Sequence, residues 1–305
     1  MTALAAADAP APTSTTGTGA SSLTTVAPSR DTDAPPLSGD TPRGRFYRLT
    51  PDGPLVYPSI TNIKGVKNSE ALNGWKVKMT ANKAAAWLNW LAATAHKDPA
   101  RALEALTKLT ESPYGMSDWT RTVKRAHKVH TEARAARGTQ VHLAVEQILT
   151  GRPITAHAPP EPVEAFRRFA ADFEIVPVQV ECTVVNHTHR YAGTGDLLGR
   201  VGGPDGPLAI MDWKSRNSLF EDTALQLAAL AHAEFLLNAD GTQVPFERPT
   251  VGIGVALGDD GEYHAHQMDI SQEMFSTFLG ARALFDFNSD TARGPAIHSA
   301  GALRL

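Results

Sequence analysis

The chain has 305 residues, of which 42% are hydrophobic and 20% charged. That is the composition of an ordinary globular protein long enough to bury a core without disulfide or metal staples. Its one cysteine, Cys182, excludes an internal disulfide, an all-cysteine zinc site and an iron–sulfur cluster held by four thiolates of the same chain. The net charge of −3 hides an asymmetry. Residues 1–40 carry 1 basic and 4 acidic side chains, 41–150 carry 17 and 8, and 151–305 carry 11 and 20. A portion suited to a polyanion thus precedes one suited to divalent cations.

The opening MTALAAADAP has neither a basic n-region nor a long apolar h-region, and no apolar run approaches the length of a membrane span. A reducing compartment is expected, with no export and no membrane insertion. Residues 1–42 consist almost wholly of Ala, Thr, Ser, Pro, Gly and Asp. So little apolar surface cannot offset the entropy of ordering, which predicts a disordered tail. GTGAS at 17–21 is not a phosphate loop, because no Lys-Ser/Thr pair follows the glycines.

From Arg45 the composition turns aromatic and aliphatic, and PLVYPSITNI at 54–63 reads as a short extended piece. Helices are predicted at about 69–95, with Leu72, Trp75, Trp87, Leu88 and Leu91 as the buried face, and then at 99–110 and 117–136. The last carries Arg121, Lys124, Arg125, Lys128, Arg134 and Arg137 and runs through Gly138 into a further helix ending near Gly151. A solvated helix face is the plain account of such a charge run; a track for a phosphate backbone is the functional one. Beyond Gly151 the pattern changes to strands at 173–187, 191–201 and 207–214, the last two joined by GGPDG, which predicts an antiparallel meander. A helix at 224–237, strands at 251–257 and 262–268, and a helix at 271–287 complete an α/β (α+β) chain with a central mixed sheet flanked by helices. The organisation is a tail at 1–42, a mostly helical basic portion at 43–137 and a core at 138–305.

Asp212 and Lys214, two apart on a strand, leave the same face of the sheet, and neither charge tolerates burial without a partner. An Asp and a Lys in water on an edge strand is the plain alternative. The preceding strand carries Asp196. If 201 faced 208, Asp196 would oppose Trp213 and point away from Asp212. A shift of one residue would instead set it opposite Asp212 or Lys214, and this is the register predicted. Two carboxylates and an amine so gathered suit magnesium or manganese and hold an ammonium against a phosphate. His142 and Glu146, four apart, share a helix face. HLAVE is not the HExxH of zinc peptidases, and His264 and His266 on a late strand lack a third ligand.

In order, GTQVHLAVE at 138–146, VE at 180–181, YAGTGD at 191–196, MDWKS at 211–215 and Gln226 resemble the RecB-like branch of the PD-(D/E)XK nuclease superfamily. YPSITNI and the Trp75 region look like the N-terminal part of actinobacterial phage exonucleases related to the CRISPR-associated exonucleases. The resemblance implies a restriction-endonuclease-like core and a magnesium- or manganese-dependent DNA exonuclease of phage recombination, replication or repair in the host cytoplasm. His142, Asp196, Asp212 and the Trp213 carbonyl would hold the metal and Lys214 would be the catalytic lysine. Gln226 would line the DNA path or the nucleophile site, with Glu146 and Glu181 as supporting carboxylates. DNA is the implied partner, together with a single-strand annealing or replication protein; the tail either recruits such a partner or does nothing. Leu230 stands where many members place a tyrosine, and the single cysteine departs from the cluster-bearing members. A structure-specific endonuclease and a non-cleaving recombination accessory remain the alternatives. Digestion polarity, strand preference and oligomeric state depend on the shape of the DNA channel rather than on these motifs.

Overall fold

A computed structural model describes residues 37–66, 70–111 and 113–289. Most of the expected tail, residues 1–36, and the side chain of Leu72 lie outside the described residues. The last part of that tail is not featureless. Strand β1 (Ser38–Thr41) pairs antiparallel with β2 (Gly44–Tyr47), which pairs with β3 (Tyr57–Pro58). Helix α1 (Ile60–Lys64) follows, its N-terminus capped by Ser59, whose hydroxyl accepts the Asn62 N–H at 3.1 Å. The Asn62 amide donates to the carbonyls of Arg43 and Arg45 and so ties α1 to the hairpin.

Four helices come next: α2 (Glu70–Lys97), α3 (Pro99–Glu111), α4 (Gly115–Lys124) and α5 (Ala126–Leu149). The single helix expected at 117–136 is broken at Arg125, and α5 instead continues without interruption through Gly138. The face expected to be buried on α2 is only partly so. Trp75, Trp87 and Leu91 are half-buried and Leu88 is 56% exposed. The reason is placement: α2 packs mainly on α3, α4 and α5 rather than on the sheet, with Trp87 meeting Trp119 edge-on at 5.6 Å.

Helix α6 (Pro160–Asp172) was legible but not among the expected elements; Pro162, Ala165, Phe166 and Phe169 fall at helical spacing and are buried. Then come β4 (Val176–Asn186), β5 (Tyr191–Arg200) and β6 (Leu208–Lys214), the antiparallel meander expected from sequence. Helix α7 (Asp222–Ala231) stops short of the expected end at 237. The Asn186 amide of β4 donates to the His232 carbonyl at 2.8 Å, and the Glu234 N–H donates to the Val185 carbonyl at 2.9 Å. These bonds draw the chain into β7 (Phe235–Leu237), which pairs with β4. Strand β8 (Gln243–Pro245) pairs with β7, β9 (Val251–Leu257) lies parallel to β6, β10 (Tyr263–Met268) pairs with β9, and α8 (Gln272–Ser289) closes the described chain.

The seven-stranded mixed sheet has the order β10-β9-β6-β5-β4-β7-β8. One face is covered by α5 and α6, through Val141, Val145, Phe166 and Phe169 packed on Leu197, Met211 and Trp213. The other is covered by α1, α7 and α8, through Ile60, Leu227, Leu230 and Phe278 packed on Cys182, Leu198 and Ile210. Among the described residues no helix is long and apolar enough to cross a membrane.

Helix α1 can lie flat on the sheet because β5 has Gly193 beneath Ile60. A Cβ there would collide with Ile60 Cδ1 and stand 2.9 Å from Cγ1, and Ile60 is only 2% exposed. Gly193→Val is therefore expected to destabilise the protein by about 1–3 kcal/mol through overpacking, read as a lower urea midpoint. An unchanged midpoint would mean that α1 does not pack as described.

Candidate functional site

The β5–β6 ladder runs from Arg200 opposite Leu208 to Leu197 opposite Met211. One further step sets Asp196 opposite Asp212, one of the two registers expected from sequence. The backbone pairing ends before that step, and the Asp196 carboxylate occupies the fork: its Oδ2 accepts the Trp213 N–H at 2.8 Å. In a strand, the N–H and C=O of one residue point to the same side, so the Trp213 carbonyl also turns toward the fork.

Strand β4 is disturbed at the same level. Val180 pairs with Leu197 and Cys182 with Gly195, while Glu181 between them has φ +53°. A left-handed conformation costs a residue with a Cβ about 1–2 kcal/mol, and one inside a strand breaks the alternation of faces. Val180 and Leu197 accordingly join the cluster under α5 and α6. Cys182 joins the cluster under α7 and α8, and a Cβ on Gly195 would meet Ile210, Leu230 and Cys182 there. Glu181 and Asp196 sit at the change of face and belong to neither core.

From one face α5 delivers His142, whose Nδ1 is 3.4 Å from Asp196 Oδ1. His142, Glu181 and Asp196 each present a ligand atom, and the three atoms lie within 4.8 Å of one another. From the other face α7 delivers Gln226, whose amide donates to Asp212 Oδ1 at 2.7 Å. Lys214 Nζ lies 2.8 Å from Asp212 Oδ1 and 2.6 Å from Oδ2. Asp212 is thus engaged by an ammonium and an amide beside the trio rather than within it, and Glu181, expected only to support, is the third member. Asp212 Oδ2 is buried and accepts no aligned hydrogen bond. The imidazole of His142 and the carboxylates of Glu181 and Asp196 form a donor set that can hold a metal ion, while both Asp212 oxygens face the Lys214 ammonium.

The electrostatics follow from this crowding. Burial alone would lower the His142 pKa, but the charge of Asp196 and its hydrogen bond raise it above the ordinary histidine value. Burial would raise Asp196, and the charge and hydrogen bond of His142, then Lys214 and the Trp213 N–H, bring it below the ordinary carboxylate value. Asp212, with burial dominant and Asp196 close, is held above that value despite Lys214. Lys214 is desolvated, yet Asp212 and Asp196 keep it charged and raise its pKa.

The group opens into a cavity of about 880 Å³ lined by Tyr47, Thr61, Thr139, His142, Lys214 and Gln226, among others. Glu146, buried one turn after His142, lines it as well. Leu230 lines the cavity with no hydroxyl to offer; Tyr47 of β2 lines it as well, its hydroxyl 3.1 Å from Thr194 Oγ1. None of the six basic residues of α4 and α5 lines it. Arg121 pairs with Asp118, Lys128 with Glu132 and Arg137 with Asp259, while Lys124, Arg125 and Arg134 are exposed. Ala135, Gly138 and Thr139 of α5 do line the cavity, so the basic stretch ends near its rim while α5 itself continues to Leu149. His264 and His266 are exposed on the edge strand β10, away from the site.

Two charged residues at the site carried no sequence signal. Lys64, at the end of α1, donates to Gln226 Oε1 at 2.9 Å and lies 3.3 Å from Asp222 Oδ2. Burial lowers its pKa, against the opposing pull of Asp222 and Asp212. No family model and no curated protein matches the chain, so the chemistry rests on the site's own residues.

Three outcomes are expected. Glycine adopts left-handed backbone without penalty, so Glu181→Gly should be about 1 kcal/mol more stable to urea than Glu181→Ala. Equal stability would show that the backbone at 181 is not strained. Manganese at about 100 times its Kd should stabilise the native chain by roughly 2.7 kcal/mol, a gain lost in Glu181→Gln and Asp196→Asn. Binding requires a neutral His142. With the pKa of that group raised, affinity should begin to fall at a higher pH than an ordinary histidine would cause. A melting temperature indifferent to manganese would remove the metal site.

Proposed function

We propose that the chain is a divalent-metal-dependent deoxyribonuclease, an exonuclease hydrolysing phosphodiester bonds in phage DNA recombination, replication or repair. The observation that carries this reading is the convergence at one strand fork of His142, Glu181 and Asp196 with the Asp212–Lys214 pair. The order of the sequence motifs supports it. So does the basic helix leading to the rim of a cavity large enough for a nucleotide.

Magnesium or manganese held by His142, Glu181 and Asp196, with Asp212 and the Trp213 carbonyl adjacent, would polarise a phosphoryl oxygen and acidify a water. The remaining work belongs to side chains. Lys214, charged and fixed by Asp212, neutralises negative charge as it develops on the phosphate and points a donor at the attacking water. Asp212 holds Lys214 and the Gln226 amide in one orientation, so neither must reorganise during the reaction. Trp213 buries its indole against Phe166 at 5.2 Å and His142 at 6.1 Å, which sets the imidazole plane. Lys124, Arg125 and Arg134 would track the phosphate backbone toward the cavity, with affinity falling as salt rises.

The test is digestion of end-labelled linear DNA with magnesium or manganese, against EDTA, by the native chain, Lys214→Ala and Asp212→Asn. Native cleavage is expected to be abolished by EDTA and lowered about 10²–10³-fold in each variant, with a closed circle left intact. Linearisation of the circle would make the enzyme an endonuclease. DNA binding without cleavage would make it an accessory protein.

A further inference from the structure

Beside the candidate site lies an ammonium, that of Lys64, which the hydrolytic scheme leaves unused. Lys64 closes α1, and its side chain is only 13% exposed. It donates to Gln226 Oε1 at 2.9 Å across 162 residues of sequence. The Gln226 Nε2 donates in turn to Asp212 Oδ1 at 2.7 Å, and the same oxygen receives Lys214 Nζ at 2.8 Å. The chain Lys64–Gln226–Asp212–Lys214 therefore begins and ends on an ammonium.

The direction of this chain is forced at the glutamine. A primary amide has one end that accepts and one that donates, and a half turn about its last bond exchanges them. An ammonium only donates and a carboxylate only accepts. Lys64 on one side and Asp212 on the other thus admit a single orientation, with Oε1 toward the lysine. Without the lysine, only Asp212 would choose between the two, and the amide would be free to leave the carboxylate. Asp212 Oδ1 would then lose one of its two donors, and the carboxylate plane that aims Lys214 would lose its second anchor.

We propose that Lys64 is a positioning residue, which locks the Gln226 amide so that its NH₂ faces Asp212 and through it fixes the orientation of Lys214. The position of α1 makes this possible. Ile60 rests on Gly193 of β5 and Asn62 is tied to the β1–β2 hairpin, so the N-terminal segment brings Lys64 to the core rather than serving only as an approach to it. The consequence for catalysis rests on the nuclease reading above; the locking of the amide does not.

The experiment has two arms. In metal-free protein labelled with ¹⁵N-glutamine, the Gln226 side-chain signals are identified by their loss in Gln226→Ala. Lys64→Met is expected to move or broaden them, and Lys64→Arg to keep them near their native positions. Should Lys64→Met fail to fold, Lys64→Gln, which can donate or accept, is expected to displace them likewise. In the second arm, with magnesium and linear DNA, Lys64→Met should lower kcat about 10-fold with KM little changed, as loss of an outer supporting partner does. Lys64→Arg should restore part of it, and Lys64→Met should add nothing in a Gln226→Ala background. Unchanged Gln226 signals in Lys64→Met overturn the proposal, as do independent, multiplying effects of the two substitutions. If the native chain cuts no DNA, the nuclease reading fails and the amide signals alone still decide the role of Lys64.

Discussion

A carboxylate standing where a backbone acceptor would normally stand is the constraint on which the site depends. Asp196 Oδ2 takes the Trp213 N–H, and that single bond lets β5 and β6 part without leaving a buried donor unsatisfied. Had the ladder continued, the space between the strands would be filled by backbone. Because it stops, side chains from both faces of the sheet reach the same point. His142 comes from the α5 side and Gln226 from the α7 side, and they meet the two strands at the fork.

The fork is stabilised at a cost carried elsewhere. Glu181 is held in a left-handed conformation inside a strand, and the buried Asp212 is ion-paired with the half-buried Lys214. Such a pair survives burial only when additional hydrogen bonds satisfy it, and Gln226 supplies one. The large, well-packed clusters on the two sheet faces are what can bear these strains. Phe166, Phe169, Leu197, Met211 and Trp213 on one side, and Tyr191, Ile210, Leu227, Leu230 and Phe278 on the other, are almost wholly inaccessible.

The N-terminal segment shares in this construction. The β1–β2 hairpin and α1 form one wall of the cavity, and the Tyr47 hydroxyl contacts Thr194 Oγ1 at 3.1 Å, two residues from Asp196. Helices α2 to α4, by contrast, approach the core mainly through α5 and leave Val77, Leu88 and Leu103 exposed.

Much of the core was legible in the sequence because its signals are local. Alternation and the GGPDG turn marked the meander, and the two-residue spacing of Asp212 and Lys214, with the need for charges to be paired, favoured a register that brings Asp196 to their face. Helical spacing also marked α6, where the signal was present but unread. What local pattern could not supply was decided by tertiary contacts. The end of α7 was set by an asparagine of β4, and the shallow burial of α2 followed from the neighbours it was given. Glu181 entered the trio because a left-handed residue reverses the faces of β4, and periodicity assumes that no such residue occurs. Lys64 lies 162 positions from Gln226. Sequence by itself thus narrowed the β5–β6 pairing to two registers that bring Asp196 to the face of Asp212 and Lys214. Only the folded chain decided which carboxylate joins the histidine and which lysine orients the glutamine, because those choices depend on distances that no spacing along the chain encodes.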